Sequence, residues 1–207
     1  MLSRHDLKLV TGMNIREYFH DAIFSAMTHQ HIESNDETII YIVNLLTNFS
    51  RSENIYDETP DGMMIRPLAL IYGEAQDAPT NEKRNKTLQK LGDIALFISG
   101  LFASSLNRSL VGIDYFIAMG GNAYGSLSYT MRNAFNGEAI SNVYAELSDR
   151  FLVFVDILSE VSDKTEFSDN SDIMRLYETW LQTGSQYAGR RLQQLGIQTV
   201  PVNNRQH

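Results

Sequence analysis

Residues 39–46 read Ile39-Ile40-Tyr41-Ile42-Val43-Asn44-Leu45-Leu46, and whether this run is a buried strand or a buried helix fixes the class of the chain. Its β-branched residues suit a strand. Two features favour a helix. Ser34 stands where an N-cap belongs, and Glu37, at the third helical position, completes a capping box. The segment also continues to Ser50, longer than a strand of about five or six residues. A helix that is apolar nearly all round belongs at the centre of a bundle. This second helix is therefore expected to be mostly buried, with the others around it.

Working outward, a first helix is expected from about Asn14 to Ile32. Ile15, Phe19, Ala22, Ile23 and Ala26 recur at three- and four-residue steps, and Asn14 with Glu17 offers a second capping box. On the other side, Arg51 to Arg66 reads as a loop holding Pro60 and Gly62; loops this long are often lids or binding segments. Pro67 suits the first position of a short helix ending near Gly73. Helices follow over about Thr80–Arg108, Asp114–Asn133, Gly137–Ser162 and Ser171–Leu195. Tyr177 and Trp180 fall on the core stripe of the last, and Gly196 is its expected left-handed stop. No segment alternates apolar and polar residues around a hairpin turn, so no sheet is expected. The expectation is one all-α domain over residues 1–207, an array of about six or seven helices, with an N-terminal arm to about residue 13 and a polar tail from 197.

Composition narrows the function. The 207 residues include no cysteine, which excludes disulfides, thiolate zinc sites, iron–sulfur clusters and cysteine nucleophiles. It suits a reducing compartment, and a cytoplasmic location is expected. The formal net charge of −8 opposes the basic face that phosphate binding needs, so no nucleic-acid partner is expected. The longest apolar run, Ile94 to Leu106, is interrupted by Ser99, Gly100, Ser104 and Ser105 and falls short of the roughly 20 residues of a membrane span. No membrane association is expected, and the N-terminus does not read as a secretory signal.

Sites of chemistry are sparse. Glu17 and His20 form one Glu-x-x-His step of the kind that carboxylate-bridged di-iron bundles use in pairs, but no second step accompanies it. On a helical wheel both lie opposite the apolar stripe. A solvated face is therefore expected, with no metal and no cofactor. The chain has no Gly-x-Ser-x-Gly elbow, Ser-x-x-Lys pair or His-Glu-x-x-His helix, and no catalytic residue is assigned. Gly120-Gly121-Asn122-Ala123-Tyr124-Gly125 lacks both the Gly-Lys-Ser/Thr ending and the preceding strand of a phosphate loop.

Two small-residue helices stand out. One carries Gly92, Ser99, Gly100 and Ala103, the other Ala118, Gly120, Gly121, Ala123 and Gly125. A mid-helix glycine costs up to about 1 kcal/mol relative to alanine, so a cluster calls for compensation. Close packing of the two helices is the favoured explanation. The alternative is an apolar small molecule lying against Gly121 and Gly125, with Tyr115, Tyr124 and Tyr129 lining the space. In that reading the chain is a small-molecule-binding protein or enzyme, and the segment resembles the glycine-rich helix of haem-oxygenase-like helical proteins, by size and glycine content alone. Lys83, Arg84 and Lys86 lie in a first turn, where backbone amides and cations together could hold an anion; a solvated turn paired with Glu82 is favoured over that. Ten tyrosines leave room for an interface. The expected function is a regulatory or scaffolding domain acting by protein–protein contact, most simply as a homodimer. In a gel-shift at physiological salt the chain should show no sub-micromolar, sequence-dependent binding of DNA or RNA; such binding would overturn the reading from charge.

Overall fold

The structure is a computed structural model that describes residues 12–49, 57–59, 62–64, 67–103, 112–134, 137–163 and 183–194. It is all-α. Eight helices occur among the described residues: α1 (Gly12–Gln30), α2 (Asp36–Phe49), α3 (Leu68–Gln76), α4 (Asn81–Leu101), α5 (Ile113–Arg132), α6 (Glu138–Asp149), α7 (Phe151–Asp163) and α8 (Gln186–Gln194). None of them is long and apolar enough to cross a membrane. The chain forms two compact units, Met1–Arg66 and Pro67–His207, where the sequence suggests no division.

The first unit holds α1, α2 and a short hairpin. α1 begins at Gly12, two residues before the Asn14 expected to cap it. It ends in a Schellman motif: His31 takes φ 56°, its N–H donates to Thr28 O, and the Ile32 N–H donates to Met27 O at 2.9 Å. A glycine usually fills that left-handed position; here a histidine does. α2 starts one residue later than expected, with Thr38 N–H and Ile39 N–H both donating to Asn35 O, so Asn35 rather than Ser34 stands at the cap. α2 buries Thr38, Ile42, Val43, Leu45 and Leu46 but leaves Ile40 48% exposed. The helix expected to be buried on all sides is therefore one-sided. Within its unit it packs against a single helix, α1, and one neighbour covers one face.

The hairpin corrects the expectation of no strands. β1 (Asp57–Thr59) pairs antiparallel with β2 (Gly62–Met64), with Asp57 opposite Met64 and Thr59 opposite Gly62. Thr59-Pro60-Asp61-Gly62 carries turn chemistry, but the flanking strands are three residues each and Asp57-Glu58-Thr59 does not alternate. The remaining side chains of the expected 51–66 loop lie outside the described residues.

In the second unit the stretch buried on all sides is the C-terminal half of α4, where every residue from Ile94 to Gly100 is buried. α5 and α7 pack on it from the C-terminal side of the chain and α3 from the N-terminal side. Thr80 caps α4, its Oγ1 accepting from the Lys83 N–H at 3.2 Å. Pro67 stands at the cap of α3, which runs past Gly73 to Gln76. Two expected single helices prove to be broken. The one over 137–162 divides at Arg150, whose φ of −119° and ψ of 27° end α6 and whose guanidinium bonds Glu146 Oε1 at 2.8 Å. The one over 171–195 is interrupted at Gly184, whose φ of 68° only glycine takes without strain, and α8 begins beyond it. Tyr177, Trp180, Gly196 and the C-terminal tail lie outside the described residues.

The small residues let α4, α5 and α7 approach one another. A Cβ on Gly100 would stand 2.5 Å from the Cβ of Leu158 on α7, and one on Gly92 would stand 2.8 Å from the Tyr124 ring on α5. A Cβ on Gly120 would meet the Phe151 ring and, at 2.8 Å, the Cβ of Ala95. Gly100→Ala should therefore lower stability by about 1–3 kcal/mol through overpacking, against a helix-propensity gain of at most about 1 kcal/mol. Gly73, with nothing within 4 Å of the added carbon, is the control, and Gly73→Ala should keep or raise stability. Urea unfolding of both variants checks this; a Gly100→Ala protein as stable as the parent overturns it.

Candidate functional site

The residues singled out around the glycine helix do not converge on one space. Tyr124 is fully buried, donates its hydroxyl to Asp93 Oδ1 at 2.7 Å and stacks on Tyr144 with centroids 5.8 Å apart. Tyr129 is 74% exposed on the same helix. Tyr115 is half-buried and meets Phe116 edge-on. Gly121 and Gly125 face α6: Ser148 Oγ donates to Gly121 O at 2.9 Å and would lie 3.0 Å from a Cβ on Gly125. α6 thus lies against half-buried Gly121 and Gly125, while Gly120 faces Phe151 of α7 and Ala95 of α4.

In the basic turn of α4 one cation is already paired. Lys86 Nζ bonds Glu82 Oε1 at 2.8 Å across one helical turn, both side chains in water. That hydrogen bond and the charge attraction hold the Glu82 carboxyl below, and the Lys86 ammonium above, their ordinary values. Lys83 is exposed and Arg84 half-buried, and the Lys83 amide is already taken by Thr80.

One buried polar cluster escaped the sequence reading. Asp156, on α7, is 5% exposed among apolar neighbours. Its carboxylate accepts from the Ser185 hydroxyl and, at 3.3 Å, from the Tyr187 N–H. Ser185 Oγ in turn accepts from the Ala188 N–H at 3.1 Å, so it caps α8 while pointing its proton at Asp156. Asp156 therefore receives the positive end of α8. Burial raises the Asp156 carboxyl above its ordinary value, against the lowering effects of Ser185, of the Tyr187 and Gln186 amides, and of the Arg190 charge. The signal in the sequence was a single carboxylate within Phe154-Val155-Asp156-Ile157-Leu158.

A second feature lies on the first unit. Arg16, Glu17 and His20 of α1 and Ile40 and Val43 of α2 line an open depression of about 290 Å³. His20 stacks on the ring of Phe24, which is 61% exposed, and its Nδ1 lies 3.2 Å from Asp21 Oδ1. Glu17 and His20 thus stay on the solvated face, as their place on the helical wheel implies. Among the described residues no group of three or more histidines and carboxylates is placed to hold a metal ion.

Comparison with known proteins found no matching family model, no matching curated protein and no matching solved structure.

The Asp156 cluster has a consequence for stability. A carboxyl that binds its proton more tightly folded than unfolded favours the native state in acid; that contribution is lost as pH rises from the ordinary carboxylate range through the raised folded value. Asp156→Asn should remove this part of the pH dependence. Urea unfolding of parent and variant at a series of pH values measures it, and parallel profiles through that window would contradict the assignment.

Proposed function

We propose that the chain is a non-catalytic regulatory or scaffolding domain that acts through protein–protein contact. The observation that carries this reading is the exposed apolar surface of the α1–α2 unit. Ile40, 48% exposed, lines a depression rimmed by charge, and Phe24, 61% exposed, stacks on His20 of that rim. Exposed aromatic and aliphatic side chains within a polar rim are the usual make-up of a docking patch. A cysteine-free chain suits a reducing compartment, and the proposal sets the protein in the cytoplasm.

The proposal is tested by a photoreactive amino acid in place of Phe24, introduced in the living host, with Asn142, exposed on α6, as the control position. Irradiation should give a polypeptide adduct from position 24 and none from position 142. Absence of any polypeptide adduct at 24 would reject the protein-contact reading, whereas its mass would report whether the partner is the same chain or another.

A further inference from the structure

The charges at the rim of the α1–α2 depression point to one kind of occupant. Arg16 and Glu17 both line it, both are exposed, and neither has a hydrogen-bond or ion-pair partner among the described residues. Being adjacent on a helix, they diverge by about 100° around its axis and do not face each other. Each is solvated as it stands and can meet its opposite charge on a partner. A partner with an acid and a base at matching spacing would supply both. The chain itself carries that pattern at the same place.

In an isologous two-fold contact the same patch serves both subunits, so that if residue i meets j, then j meets i. An adjacent cation and anion beside an apolar centre is self-complementary under that operation. We infer that the α1–α2 face binds a second copy of this chain through a two-fold contact in which Arg16 of each copy pairs with Glu17 of the other. Phe24 and Ile40, the exposed apolar side chains of this face, supply the water-excluding centre, and the charged rim fixes register and excludes other partners. The inference rests on the protein-contact reading and names its partner.

The test uses the full-length chain in analytical ultracentrifugation over a dilution series. The parent should dimerise reversibly. Arg16→Glu and Glu17→Arg should each weaken self-association by roughly tenfold or more, because each variant sets like charges against each other twice across the two-fold. Both side chains are exposed, so the circular dichroism spectrum and melting temperature should stay those of the parent. Mixed in equal amounts, the two variants should associate with each other about as tightly as the parent does with itself, since one copy then carries acid at both positions and the other base at both. A parent that remains monomeric at its highest soluble concentration overturns the inference, while a position-24 adduct to another protein would leave the broader reading standing. A dimer unaffected by either reversal places the interface elsewhere and also overturns it. So does loss of association in the single variants without recovery in the mixture, which would deny the reciprocal pairing.

Discussion

Close approach between α4 and its neighbours is the constraint on which the larger unit depends. Interiors are packed about as densely as organic crystals, so the separation of two helices is set by the side chains between them. At Gly92, Gly100 and Gly120 there is no side chain on one side of the contact. The Tyr124 ring, Leu158 and Phe151 occupy the space instead. Large residues on α5 and α7 fill what small residues on α4 and α5 leave open. Hydroxyls reinforce the approach where backbones come near: Ser159 Oγ donates to Gly100 O and Ser162 Oγ to Leu101 O, each at 3.0 Å. Ser148 does the same for Gly121. The glycines thus give up helix propensity in exchange for contact area, with the carbonyls near them bonded from the neighbouring helix.

Against that largely apolar centre, Asp156 is one of two carboxylates buried on α7, with Glu160, and it is balanced locally. An unpaired buried carboxylate is far more costly than a buried apolar group, and proteins meet the cost with hydrogen bonds or by retaining the proton. Here donors from the start of α8 surround the group, while burial still holds its carboxyl above the ordinary value. The arrangement ties α8 to α7 by direction as well as by area. A helix of nine residues gains little stability alone, and its cap lies against a charge fixed on another helix.

The α1–α2 unit follows the opposite economy. Two helices can bury one face of each, and what remains apolar stays at the surface unless something covers it. Ile40 and Phe24 are the residue of that geometry, with Arg16 and Glu17 beside them. Surface aromatics inside a charged rim are a poor arrangement for solubility and a good one for recognition. It is this contrast with the filled glycine helix that directs the functional reading toward contact.

Helix type and most helix positions were legible in the sequence, because three- and four-residue apolar spacing, Thr80 and Pro67 are local signals that act over a few residues. The all-α class follows from them. The break at Arg150 was not legible: no proline or glycine marks it, and the apolar stripe from Val143 to Leu158 reads through it as if continuous. Nor was the choice of the central helix. Residues 39–46 are as apolar as residues 94–101, yet α2 has one helix beside it within its unit while α4 is covered by three. Burial is a property of the neighbours, which composition does not report. The same reason separates the two readings of Gly121 and Gly125. Their cost to the helix is written in the sequence, but that Ser148 lies beside them depends on where α6 packs, and only the tertiary structure sets that.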